Sequence, residues 1–86
     1  MSITKQSVAD KIAAYLRHDI SLGELVRWAE EAMLDENFAE QDAGVIADAV
    51  ARLGVADVRA FGLMWEDCEH LLRQLGYATR VNIIAA

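Results

Sequence analysis

Apolar residues recur along the chain at the three- and four-residue spacing of amphipathic helices, and most of these runs are bounded by residues that start or stop a helix. Val8, Ile12, Tyr15 and Leu16, with Ala9 beside them, form a first stripe, which Thr4 or Ser7 can cap. A second helix is predicted from Leu22 to about Leu34, with Leu22, Leu25, Val26, Ala29 and Met33 on one face. Trp28 lies to the side of that face and Leu34 nearly opposite it. Between the two helices, Ser21 and Glu24 have the spacing of a capping box. The serine hydroxyl accepts from the Glu24 N–H, and the carboxylate accepts from the Ser21 N–H. Ile20 and Leu25 flank the cap as a hydrophobic staple. Arg17 and His18 fall in the last turn of the preceding helix, where positive charge suits the dipole. So short a link predicts that the first two helices lie side by side as a hairpin.

Asp35-Glu36-Asn37 reads as the next break, and Asn37-Phe38-Ala39-Glu40 as a second capping box. The stripe that follows is Ala39, Ala43, Ile46, Val50 and Leu53, at spacings of 4, 3, 4 and 3. Gly44 inside it costs up to about 1 kcal/mol relative to alanine, which favours a frayed or later helix start. Gly54 is expected to be a C-cap glycine. A fourth helix is predicted from Trp65 to Leu75, with Trp65, Cys68, Leu71, Leu72 and Leu75 on one face, and Gly76 ends it.

Beyond Gly76 the period changes to two. Tyr77, Thr79, Val81 and Ile83 alternate with Ala78, Arg80, Asn82 and Ile84, and β-branched residues are frequent. A lone strand leaves its backbone unsatisfied, so the pattern calls for a partner: residues 58 to 63, or a strand from another chain. The expected fold class is therefore mainly α (α+β), with about four short helices, the first two as a helical hairpin, and a small β element at the C-terminal end. Residues 1–86 are expected to form one small helical domain without a linker.

Composition changes this picture in one respect. Hydrophobic residues make up 55% of the chain but aromatic ones only 7%, so alanine supplies much of the apolar count. Alanine favours helix and close helix approach but buries little area per residue. Such a core is thin, and association with a copy or a partner would add stability.

Charge is unevenly placed. Glu30, Glu31, Asp35, Glu36, Glu40 and Asp42 are six acids with no Lys or Arg among them, while the other eight acids match the eight Lys and Arg. This segment carries the whole net charge of −6. That polarity argues against nucleic acid as a partner, because phosphates would be repelled. The second helix would be the recognition helix of a helix-turn-helix, but it sets Arg27 against Glu24, Glu30 and Glu31, so that reading fails. Apolar runs reach only about five residues, far short of the roughly 20 of a membrane helix. With no signal-peptide pattern at the start, a cytoplasmic protein is expected.

Candidate chemistry is sparse. Glu66-Asp67-Cys68-Glu69-His70 mixes potential metal ligands, but Cys68 and His70 point about 200° apart on a helix. Cys68 belongs to the leucine face, where a cysteine acts as a small hydrophobe. Glu66 and His70, spaced i,i+4, could share a surface ion, which leaves a metal-binding protein as a remote alternative. One cysteine and two histidines, without a CxxC or HExxH pattern, fall short of a zinc site. Isolated glycines form no phosphate-cradling loop, and the paired carboxylates lack an enclosed apolar setting. No enzymatic activity, cofactor or metal is expected.

The acidic segment supports two readings. In one it is a solvated face that keeps a small protein soluble. In the other it docks a basic protein partner, with Trp28, Leu34 and Phe38 as apolar anchors and Glu30, Glu31, Asp35, Glu36, Glu40 and Asp42 as the charged rim. In general character the chain resembles small acidic helical proteins that neutralise basic nucleases, such as bacteriocin immunity proteins and some antitoxins. Its helix-to-helix phrases are generic and assign no family. A self-associating structural or scaffold domain, a homodimer through the C-terminal strand, is the competing class. The two differ in the surface they use: Trp28 to Asp42 for a basic partner, Tyr77 to Ile84 for self-association.

Overall fold

Helix-capping chemistry sets most of the boundaries in the computed structural model, which describes residues 2–35, 37–58, 62–81, 83 and 84. Helix α1 spans Lys5–Leu16. Thr4 is its N-cap: the hydroxyl accepts from the Ser7 N–H at 3.1 Å, and the Ser7 hydroxyl accepts from the Thr4 N–H at 3.2 Å. Its C-terminus closes in a Schellman motif, with the Asp19 N–H donating to the Ala14 carbonyl at 2.8 Å and the His18 N–H to the Tyr15 carbonyl at 3.0 Å. His18 occupies the left-handed position of that motif, with φ of 64°. It therefore lies just past the helix, not in its last turn as the sequence suggested.

Helix α2 spans Leu22–Asp35. The expected capping box is present. The Glu24 N–H donates to the Ser21 hydroxyl at 3.1 Å, and the Ser21 N–H to the Glu24 carboxylate at 3.2 Å. Ile20 packs against the core that contains Leu25. Helices α1 and α2 do meet, but the most extensive pairing is between α2 and helix α3 (Ala43–Gly54), and α1 touches α2, α3 and helix α4 (Trp65–Gln74). Gly54 is the last residue of α3 and does not take the left-handed conformation of a C-cap glycine. A Cβ there would sit 3.4 Å from the Met33 sulfur on α2, an ordinary contact.

The break between α2 and α3 departs from expectation. Helix α3 begins at Ala43, preceded by one 3₁₀ turn (Glu40–Asp42) that starts from Ala39 without a side-chain cap. The late start agrees with Gly44 in the first turn. What organises this segment is backbone pairing with the chain's N-terminal end. Ile3 and Phe38 form a parallel bridge, with the Ile3 N–H donating to the Asn37 carbonyl at 2.7 Å and the Ala39 N–H to the Ile3 carbonyl at 2.8 Å. Lys5 and Asp42 add an ion pair at 3.6 Å beside it.

The C-terminal β element is not seen. Among the described residues of 77–84 there is no strand, and 59–61, part of the proposed partner strand, lie outside the described residues. The fold described is thus mainly helical, with four α-helices and no sheet. Helix α4 ends in a second Schellman motif at Gly76, whose φ is 95°. There the Tyr77 N–H donates to the Leu72 carbonyl at 2.8 Å. Arg52 fastens α3 to the start of α4, donating to the Gly62 carbonyl at 2.7 Å and lying 3.5 Å from the Asp67 carboxylate.

One core joins all four helices: Val8 and Ile12 from α1, Leu25 and Ala29 from α2, Ile46, Val50 and Leu53 from α3, and Cys68, Leu71 and Leu72 from α4. Five of the buried residues are alanines (Ala9, Ala29, Ala32, Ala49 and Ala56), so the helices approach closely while each contact buries little area. Trp65, expected on the inward face of α4, sits at its edge and is exposed.

Candidate functional site

Burial of Leu25, Val26, Ala29 and Ala32 fixes which way α2 faces. Residues about 100° apart along a helix then place Arg27, Glu30, Glu31, Leu34 and Asp35 on its outer side, and all five are exposed. Leu34 is two positions beyond the buried Ala32, hence about 200° round the helix, and 87% of its surface is open to solvent. Glu30 and Glu31, one turn back, and Asp35, next to it, surround it with carboxylates. Met33, expected in the buried stripe, lies at the margin and leans toward Gly54, because Ala32 occupies the inward position.

The remaining candidates of the acidic segment divide. Glu40 is exposed on the 3₁₀ turn. Asp42 is partly buried and paired with Lys5, so its charge is partly offset. Glu36 lies outside the described residues. Among the described residues, Glu30, Glu31, Asp35 and Glu40 form no ion pair. Neither predicted aromatic anchor stands free amid these charges. Trp28 is half-buried against the core, with the Lys11 ammonium 5.9 Å from its ring centroid. Phe38 is half-buried where its backbone pairs with Ile3. Spacing alone showed Trp28 to be off the stripe, but it did not show that α1 covers it. Nothing local to Phe38 pointed to a bridge with a residue 35 positions away.

Cys68 is buried, and burial pushes its thiol up to about 11; the nearby Asp67 carboxylate adds to the rise and the Arg52 guanidinium opposes it. A thiol that stays protonated is a poor nucleophile and a poor ligand. Among the described residues no group of three or more His, Cys, Asp or Glu could hold a metal ion. None of the described helices is long and apolar enough to cross a membrane.

A second surface lies where α1, α4 and the C-terminal segment meet. Ala9, Ala13 and Leu16 form one wall of an open groove of about 550 Å³, and Trp65, Leu72, Tyr77 and Val81 line the rest. Thr79 ties the segment to α4 by donating to the Glu69 carboxylate at 3.1 Å. Beyond that tie, Val81, Ile83 and Ile84 are exposed. Trp65 and Met64 extend this apolar surface, although the helical pattern had placed Trp65 in the core. Comparison of the chain with protein-family models, curated proteins and solved structures finds no significant match in any of the three.

Proposed function

We propose that this chain is a non-enzymatic interaction module that docks a basic protein partner on the outer face of α2, as immunity proteins, antitoxins or adaptors do. The observation that carries the reading is Leu34, an almost fully exposed leucine on a regular helix, ringed by Glu30, Glu31 and Asp35. An apolar anchor whose nearest charged neighbours are carboxylates, with Arg27 two turns away on the same face, provides what an interface with a basic protein needs. The leucine supplies buried area, and the carboxylates supply steering and orientation. Glu40, on the following turn, extends the rim. Trp28 and Phe38 are half-buried against the core, so in this reading Leu34 is the principal anchor and they contribute only their exposed edges.

The test is affinity capture from the native organism's lysate at low and high salt, with three baits. The unaltered chain is expected to retain a basic protein at low salt. The Glu30→Lys/Glu31→Lys/Asp35→Lys bait is expected to lose it, and the Leu34→Asp bait to weaken it. Equal capture of that protein by all three baits would reduce the acidic face to a solubilising surface.

A further inference from the structure

The C-terminal segment presents the opposite kind of surface. We infer that Tyr77–Val81 together with Ile83 and Ile84 forms a docking strand for a second copy of this chain, pairing antiparallel across a two-fold axis beside the α1–α4 groove. This surface is separate from the α2 face and does not depend on the basic-partner reading.

Three observations converge on it. The first is unmet apolar area. Ile83 and Ile84 are 94% and 84% exposed and Val81 62%, and Met64, Trp65 and Tyr77 continue the patch. With about 150–250 Å² for an aromatic side chain and the aliphatic ones near the low end, these residues expose on the order of 600–700 Å². A standard interface buries about 800 Å² per partner, so the patch supplies most of one, with backbone and flanking polar groups adding the rest.

The second is the backbone. After the Tyr77 N–H, which closes the α4 cap, no described residue of the segment makes a backbone hydrogen bond to another described residue. Unpaired N–H and C=O groups on a stretch rich in β-branched residues form a template for strand addition. A two-stranded ribbon is marginal alone, and here the α1 and α4 walls of the groove flank the segment, which Thr79 ties to Glu69 on α4.

The third is charge. A chain of net charge −6 repels its copies, but residues 70–86 contain Arg73 and Arg80 and no acid. The α1 side of the groove carries Asp10 and Arg17, of which Arg17 is paired with Asp19 at 3.2 Å, so Asp10 is left as the acid that faces Arg80 of a partner copy. An isologous contact, in which each residue meets the other's counterpart, can pair both sets at once. A second copy fits this surface, whereas a strongly charged partner of either sign would leave its own charges unmatched.

Sedimentation of the full-length chain from 1 to 500 μM, with concentration-dependent amide hydrogen exchange, tests the inference. The expected result is a monomer–dimer equilibrium in which alternate amides of the segment, either Thr79, Val81 and Ile83 or Arg80 and Ile84, gain protection as dimer forms. Ile83→Asp/Ile84→Asp should weaken the dimer at least 100-fold, with Val81→Arg as a second, independent disruption. The far-UV spectrum should stay unchanged, since these side chains are outside the core. Leu34→Asp should leave the dimer intact. Four results would overturn the inference: a monomer at 500 μM, a dimer indifferent to both disruptions, a dimer whose segment amides stay unprotected, or a dimer lost with Leu34→Asp.

Discussion

The outer face of α2 and the C-terminal segment both leave large aliphatic side chains in water, yet they differ in everything around them. Leu34 sits in the last turn of a regular helix with carboxylates on each side. Ile83 and Ile84 follow a stretch outside regular secondary structure, with open backbone groups and Arg80 nearby in sequence. Apolar exposure alone therefore does not identify a partner. On α2 the proposed recruitment runs through side chains, Leu34 and its neighbouring carboxylates, which suit a basic protein. On the C-terminal segment the backbone itself can recruit, and the absence of acids from residues 70–86 makes another copy of the chain the proposed occupant.

The largest effect expected separates the core from both surfaces. Leu25 and Leu34 share α2, but Leu25 is fully buried. Leu25→Ala should destabilise the fold by about 2–5 kcal/mol. Leu34→Ala should stay within about 0.5 kcal/mol, as surface changes do, and instead speed dissociation of the basic partner. Urea denaturation and partner dissociation rates measure the two. A large stability loss at Leu34 would mean that its exposure is misassigned and that the contrast between the surfaces fails.

Smaller effects are expected at the α1–α2 junction, and they concern stability. Ser21→Ala removes the cap seen at 3.1 Å and should cost about 1 kcal/mol. His18→Gly should have the opposite sign. It relieves a left-handed residue with a Cβ, an arrangement costing roughly 1–2 kcal/mol, and part of the gain is offset by glycine's freedom in the unfolded chain. The net expectation is a gain of about 1 kcal/mol or less. Denaturation midpoints decide both, and Ser21→Ala should leave partner and dimer affinity unchanged, whereas His18 borders the hollow that Met64 and Trp65 line.

How far the sequence could be read follows from the range of the interactions involved. The Ser21–Glu24 box, the Thr4–Ser7 cap and the Gly76 terminus are local, and each is written within a few residues. The inward faces of α3 and α4 were legible for the same reason: Ile46, Val50, Leu53, Cys68, Leu71 and Leu72 repeat at helical spacing and are buried. What was not legible depends on distant partners. Phe38 pairs with Ile3, Trp28 is covered from α1 with Lys11 over its ring, and Asp42 meets Lys5. These three contacts engage Trp28, Phe38 and Asp42 within the fold, and Leu34 is the most exposed of the three apolar candidates. The β pattern of Tyr77 to Ile84 states a preference for pairing, but a strand also requires a second strand.

Association kinetics of the captured basic partner test the central claim most directly, measured against salt for the unaltered chain and for Glu30→Lys/Glu31→Lys/Asp35→Lys. Screening acts over roughly 10 Å at 0.1 M salt, so association of the unaltered chain should slow as salt rises. The charge-reversed chain should associate at least about tenfold more slowly at low salt and lose that salt dependence, with an unchanged fold. Identical association and dissociation rates for the two chains, at every salt concentration, would contradict the claim that the outer face of α2 is the docking surface.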